Sequence, residues 1–563
     1  MFIDFEGIDG SGKTTLSNAV AARLKKLGYR VAHARENGAL QSPAARRIRE
    51  LTRDSQLLEL SPRTEFFLNV ARDAQQLAEV IRPALERGQV CISDRYLYSQ
   101  LALSGAGRGL PVEELETAVQ LASQGVWPDL VILVDVDPDL ARLRKRLGKV
   151  GQPKASDSRK GLVGAGLSVR VREAFVGMAR ADPDRWLVIE NNEQPLWMLE
   201  QRIVEAVVAR LEGREPQAQP LAPRRLPQPQ VTAANLEESF ERAMDDLETR
   251  EPRLCAYLLS GIPGANVHRR RLGLMPAHPE MIALGLAGLQ DEASWALRDA
   301  LLGFAPAQVL TSLGSDPSAR SMDLRCAFFG AHPAEAVNGL KLQDSPEAWE
   351  LRERAWAQGE KAAVLGGLSG VDTARAWALR EEGVRAGLIQ PLLKSIQGMA
   401  GAPAEALRER LFEEDRLAVL RSTTGLDTPL AQRLRESLAE RATKVVMRSL
   451  TRVDAGYAWA LRERAALHSK EALDSVDGMD TAQAWDLRER FADRWPSTAL
   501  SSLRPLPFSE RARALVERVL AERPRRLPVL RNAYAAWAAG TRAPQPARAL
   551  SLVTAASVQS QVP

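Results

Sequence analysis

Cysteine is nearly absent from this chain: Cys91, Cys255 and Cys326 are the only three in 563 residues, and none pairs in a CxxC spacing. That scarcity excludes a disulfide framework, argues against structural zinc and suits a reducing compartment. Aromatic residues make up only 5%, although 11 of them are Trp. No apolar run reaches the length needed to span a bilayer, and the first apolar strand already begins at residue 2. The expectation is a cytoplasmic chain with neither signal peptide nor membrane helix. An excess of one charge is also lacking. A formal net charge of +5 over this length argues against a dedicated nucleic-acid binder, while leaving room for a local basic face. What is present, 45% hydrophobic and 26% charged residues, describes a soluble globular protein of roughly two to four domains.

Residues 3–15, IDFEGIDGSGKTT, run from an apolar strand into a glycine-rich turn. Gly7, Ile8, Asp9, Gly10, Ser11, Gly12, Lys13 and Thr14 fit the phosphate-loop pattern GxxxxGKT without a mismatch, and Thr15 follows. Small residues let backbone N–H groups turn inward around a phosphate, and a helix starting near Lys13 aims its positive end at the same anion. Lys13 then neutralises phosphate oxygens, and the Thr14 hydroxyl is placed to ligate magnesium.

Beyond the loop, Thr15 to Leu27 reads as an amphipathic helix ending at Gly28, and Tyr29 to Ala34 as a second strand. Leu57 to Ala84 is largely helical. Gly88 to Tyr96, Leu130 to Val136 and Trp186 to Glu190 read as further buried strands. Alternating strands and helices predict an α/β P-loop domain, a parallel sheet with helices on both faces. Its ligands lie beyond the carboxyl ends of the strands, where Asp94, Arg95 and the loop all fall.

FEGIDGSGKTT, then DRYLYSQLA followed by GRG at Gly107 to Gly109, then WPDLVILVDVDPDLA, together resemble the thymidylate kinase family over residues 1–212. The resemblance implies transfer of the γ-phosphoryl of ATP to dTMP with Mg2+. Position by position, it implies that Lys13 holds the ATP phosphates and Thr14 the metal. Asp9 lies near the acceptor's sugar and phosphate, Asp94 orients the metal's water shell, and Arg95 grips the acceptor phosphate. A lid is implied at Arg142 to Arg172, with Arg159 as its catalytic arginine and Arg144 and Arg146 behind it, although Lys160-Gly161 stand where the family has an acid. The family commonly dimerises through helices of this domain.

The acceptor side departs from the family pattern. Aligning Glu65, Leu68, Ala71 and Gln75 sets Asn69 where the family stacks a phenylalanine on thymine, and Asp73 where it uses an arginine on the base. Arg72 stands one residue early, a turn of about 100° on a helix. Leu103 and Ser104 replace the usual Tyr-Gln pair beside the sugar. Arg35-Glu36-Asn37-Gly38 resembles ArgGluProGly. Arg35, Arg72, Asp73, Arg95, Ser99 and Gln100, with Asp9, form the expected acceptor set. Asp73 could also accept a hydrogen bond from an exocyclic amine, and dCMP or dUMP stay open as alternative acceptors.

Residues 213–230, with five prolines and no apolar periodicity, form a linker. From 231 to 540 the dyad Leu-Arg recurs, at Arg298, Arg325, Arg352, Arg380, Arg408, Arg435, Arg462 and Arg488, with a period near 27. Trp295, Trp349, Trp377, Trp459 and Trp485 stand two residues before the leucine, and an Asp stands eight before the arginine in several copies. The pattern predicts an all-α solenoid of helix pairs resembling HEAT stacks in kind, with Asp as the cap of each first helix. Two readings of the repeated arginine remain open: a stacking ladder of Arg to Asp or Glu, or a row that reads an acidic partner or phosphate backbone. Residues 541–563 read as a flexible tail. The expected protein is a monophosphate kinase with a repeat domain that binds a protein partner. The alternative is a nucleotide-binding interaction protein with little turnover.

Overall fold

Five strands, β1 (Phe2–Glu6), β2 (Val31–His33), β3 (Val90–Asp94), β4 (Leu130–Asp135) and β5 (Trp186–Glu190), form a parallel sheet in the order β2-β3-β1-β4-β5. The computed structural model describes residues 1–35, 39–54, 57, 59–150, 163–192, 194–214, 230–523 and 526–541. The chain divides into two compact units, Met1–Pro229 and Gln230–Pro563. Among the described residues no helix is long and apolar enough to cross a membrane.

In the first unit, β1 is the central strand, with Phe5 opposite Asp94 and Glu6 opposite Leu133. Side chains alternate across it, as a strand dictates. Ile3 and Phe5 join a core with Leu16, Val20, Ile203 and Val207, while Phe2 joins Phe66, Val70, Tyr96 and Leu115 on the other face. Asp4 and Glu6 therefore share the face of Phe2. The first helix, α1 (Lys13–Lys26), starts on the loop itself. Two helices follow β2: α2 (Pro43–Arg53), capped by Ser42, and α3 (Pro62–Gln76), capped by Ser61. Sequence periodicity misses α2, although Ser-Pro at its start is a cap signal. The helical stretch read from Leu57 to Ala84 is broken, with a π-helical turn at Leu77–Ile81. A second π-helical segment spans Leu101–Gly107 beside the acceptor residues.

The second unit is a run of helix pairs from Leu236–Arg250 to Leu527–Thr541. Its repeated arginines build neither of the expected structures, although Arg408 alone among them pairs with an acid in the described residues, Glu405 at 2.7 Å. Arg271, Arg298, Arg325, Arg352, Arg380, Arg408, Arg435, Arg462 and Arg488 are fully buried, so they cannot read a partner. Their main partners are backbone carbonyls. Arg380 donates to the carbonyls of Leu368 and Val371, both at 2.9 Å, and to Ser395 Oγ at 3.1 Å. Arg298, Arg408 and Arg488 repeat the arrangement on the carbonyls 12 and 9 residues before them. These carbonyls end the second helix of the preceding pair, where the last turn has no intrahelical donors and carries the negative end of the dipole. Each arginine is thus a cap for its neighbour. Burial pushes Arg352, Arg380, Arg462 and Arg488 down to about 10, still charged at neutral pH.

A ladder to acids does exist, but other arginines build it. Arg320 pairs with Asp299 at 2.6 Å, Arg410 with Glu381 at 3.1 Å and Arg511 with Glu489 at 2.6 Å, all on the surface. Arg320 and Arg511 also cover the preceding pair's Trp295 and Trp485, which the buried Arg298 and Arg488 cover in turn. The repeated aspartates are corrected too. Ser345, Thr373 and Thr481 are the caps, and Asp344, Asp372 and Asp480 just before them each accept the indole N–H of the tryptophan five residues on, at 2.6 Å. Asp291, seven residues before Arg298 and so outside that set, does cap its helix.

The array is also not open. Arg504 donates to the Gly261 carbonyl at 2.8 Å across 243 residues, which is nine periods of 27. Arg531 takes the carbonyls of Leu258 and Ser260, and Tyr534 stacks on Phe240 with ring centroids 4.1 Å apart. First and last helices meet, and the helical unit closes on itself.

Candidate functional site

Three glycines make the loop after β1. Gly7, Gly10 and Gly12 have φ of 142°, 90° and 92°, a region open to glycine and strained for other residues. A Cβ on each would stand 2.5 Å from the Val134 carbonyl, 2.3 Å from the Ala141 carbonyl and 2.6 Å from Asn191 Nδ2 respectively. The loop is held from above by Asn191, whose amide donates to the Ser11 carbonyl at 2.7 Å while Arg144 donates to the Asn191 carbonyl at 2.7 Å. Sequence reading missed Asn191; two asparagines at the end of the last strand were its one signal. Lys13 is buried, its Nζ donating to the Ile8 carbonyl at 3.2 Å. Ser11 Oγ is buried without a hydrogen-bond partner, and Thr15 is exposed.

Asp94, at the end of β3, lies directly across the loop. Its Oδ2 accepts the Thr14 hydroxyl, and its buried Oδ1 has no partner. Burial alone would raise its carboxyl, yet Lys13, Arg35 and Arg95 together pull it below the ordinary value. An ionised oxygen without a donor beside a threonine hydroxyl fits a hydrated divalent cation, which keeps most of its waters and takes one or two protein oxygens.

Arginines gather on the far side of Asp94. Arg95 has a φ of 81°, and the bend sends its guanidinium back over the loop. It donates to Asp9 Oδ1 at 2.7 Å and Ser99 Oγ at 2.9 Å, and stands 3.6 Å from Glu6. Arg35 donates to the Asp94 carbonyl at 3.0 Å. Arg49, on the unforeseen α2, completes the group: burial, then repulsion from Arg35, Arg53 and Arg72, pushes it down to about 9. Cations that repel one another in a half-buried space define an anion site.

Arg72 and Asp73, on α3, turn toward each other. Arg72 Nε donates to Asp73 Oδ1 at 2.8 Å and its NH1 to Asn69 Oδ1 at 3.0 Å, while Gln100 Nε2 donates to Asp73 Oδ2 at 2.7 Å. The carboxylate expected to meet an exocyclic amine is thus occupied by protein donors. Ser99 Oγ donates to Glu6 Oε2 at 2.7 Å. Arg159 lies outside the described residues, as do Lys154 and Lys160.

A phosphate cradle between β1 and α1, a cation position shared with β3 and an anion site beyond it define the class: a P-loop phosphotransferase acting on nucleotides. The thymidylate kinase family model matches residues 5–203. The thymidylate kinase of Pelobacter propionicus is 37% identical over 212 residues, which is 37% of this chain and 93% of that protein. That of Deinococcus radiodurans is 39% identical over 37% of this chain and 97% of its own length. A solved thymidylate kinase from Ehrlichia chaffeensis matches 37% of this chain and 98% of its own at 24% identity, with a TM-score of 0.28 too low to add weight. Through its amino-terminal unit, this chain belongs to the thymidylate kinase family.

Proposed function

We propose that the amino-terminal unit transfers the γ-phosphoryl group of ATP, bound with magnesium, to dTMP. The observation that carries this reading is that one residue touches both halves of the site. Asp94 meets the donor loop through Thr14 with its side chain and the arginine cluster through Arg35 with its carbonyl. Two polyanions cannot approach without cations between them. Lys13 supplies charge on the donor side, and Arg35, Arg49, Arg72 and Arg95 on the acceptor side. The name carried by relatives that match over nearly their whole length supports dTMP as the acceptor.

In this mechanism Lys13 and the loop N–H groups hold the donor phosphates, and Thr14 with Asp94 holds the cation and its waters. Magnesium, when bound, neutralises charge on the phosphate oxygens. Arg95, aimed by Asp9 and Ser99, grips the acceptor phosphate with Arg35 and Arg49. Rate enhancement comes from positioning and charge neutralisation. The test is ADP formation by the purified chain with ATP and magnesium, across dTMP, dUMP, dCMP and the other monophosphates. Turnover with dTMP that drops at least about a hundredfold in Lys13→Ala is the expected outcome. ATP binding without acceptor-dependent turnover overturns it.

A further inference from the structure

Five tryptophans occupy one position of the helical repeat, and they do not share one environment. Trp295, Trp349 and Trp485 are 6%, 5% and 6% exposed, each clamped between two guanidinium groups. One belongs to the buried motif arginine of the same helix, Arg298, Arg352 or Arg488, and stands 4.7, 4.9 and 5.2 Å from the ring centroid respectively. The other comes from the second residue of the next pair's first helix, Arg320, Arg375 or Arg511, at 4.7, 4.4 and 5.0 Å. An indole face attracts a guanidinium through its quadrupole, and the planar cation stacks on it.

Trp377 and Trp459 have only the inner half of the clamp. Arg380 and Arg462 lie 4.6 and 4.4 Å from their ring centroids. The second residue of the following helix, however, is Pro403 in Ala402–Arg410 and Gln483 in Ala482–Phe491. Neither supplies a cation, and both tryptophans are partly exposed where their three counterparts are buried. The rest of the slot is intact. Asp372 and Asp454 accept the indole N–H, both at 2.6 Å, which fixes the plane of each ring. The acids that bind the outer arginine in the filled copies, Asp299, Glu353 and Glu489, have counterparts in Glu381 and Glu463. These are held by Arg410 and Arg490 of the next pair and remain 54% and 45% exposed.

We propose that the outer faces of Trp377 and Trp459 are two binding slots for arginine side chains of a protein partner, each guest guanidinium completing the clamp that the chain itself completes in three other repeats. The three filled copies define the occupant: in every one it is arginine, laid on the ring and paired with an acid. The slots stand 82 residues, three repeats, apart. Each contact is weak alone, so a partner that presents two arginines to this face gains by engaging both at once. The proposal is independent of the kinase reading.

The experiment follows the indole N–H resonances of the full chain, labelled with heavy nitrogen in tryptophan, through a titration with N-acetyl-arginine amide. N-acetyl-glutamine amide is the uncharged control, and Trp377→Phe and Trp459→Phe assign the two signals. In the unmodified chain the signals of Trp377 and Trp459 move, with the arginine probe binding about fivefold more tightly than the glutamine one, while those of Trp295, Trp349 and Trp485 stay in place. Arg375→Ala opens the outer face of Trp349, whose signal then joins them. Pro403→Arg and Gln483→Arg supply the missing guanidinium from within and silence Trp377 and Trp459 in turn. Trp377 and Trp459 unmoved in the unmodified chain, while Trp349 responds in Arg375→Ala, overturns the proposal, because other side chains then close those two faces. So does an equal response to both probes, an equal response at all five tryptophans, or no movement anywhere, the Arg375→Ala chain included.

Discussion

A carboxyl group with no partner lies in the middle of β1. Asp4 is fully buried, and neither of its oxygens has a hydrogen-bond partner. Burial first, then the like charges of Glu6, Asp94 and Asp73, push its pKa well above the ordinary 3.8. The folded chain therefore holds the Asp4 proton to higher pH than the unfolded chain does. Between 3.8 and the raised folded value the folded state binds the extra proton, so stability falls as pH rises through that window. Asp4→Leu removes both the buried polar group and the titration. It should raise stability at neutral pH by about 1–3 kcal/mol and flatten the loss across the window. A melting temperature unchanged or lowered at pH 7 would refute this. The run FIDFE shows only Glu6 of the groups that impose that state; the burial and the other two carboxylates come from packing against β3 and α3. Lys13, Thr14 and Asp94 were legible for the opposite reason: their chemistry is fixed by spacing within short motifs. Arg49 was not, since one arginine among several on a polar helix carries no pattern of its own.

Among the helices of the second unit the period is plain in the sequence and the bonding is not. A dyad repeated every 27 or so residues marks the unit of stacking, yet the same letters fit a solvated ladder and a buried cap. Burial decides between them, and burial depends on how pairs curve together. The two kinds of arginine predict opposite mutational costs. Arg380→Leu leaves the carbonyls of Leu368 and Val371 without their donor and should cost about 3 kcal/mol in urea unfolding of the helical unit. Arg375→Ala removes a half-exposed pair with Glu353 and a cover over Trp349, for about 1 kcal/mol or less. Equal costs would mean that the buried guanidinium is not a cap. The aspartate was misread as a cap because Asp and the following Ser or Thr are both good cap residues. The tryptophan indole, needing an acceptor once half-buried, takes the aspartate and leaves capping to the hydroxyl.

Closure of the helical unit belongs to the whole array and to no single repeat. An open array of this kind has two ends, each with one neighbour instead of two, and its terminal repeats open first. Here Arg271 caps the first helix pair as the other motif arginines cap theirs, and Arg531 adds the carbonyls of Leu258 and Ser260 from the far end of the chain, with Tyr534 on Phe240 beside it. The sequence hides this because Arg531 stands outside the Leu-Arg period, and curvature is a small rotation per repeat that no local pattern encodes. Hydrogen exchange distinguishes the two architectures. In the closed form, amides of Leu236–Arg250 and Leu527–Thr541 exchange no faster than those of central helices such as Ala374–Arg385. Arg504→Ala, Arg531→Ala and Tyr534→Ala together break the joint without touching the motif arginines. Both terminal regions should then lose at least about tenfold in protection while the centre keeps its own, the gradient of an open stack. Fast exchange at both ends before any substitution would show that the joint contributes no stability, and the helical unit would behave as an open solenoid.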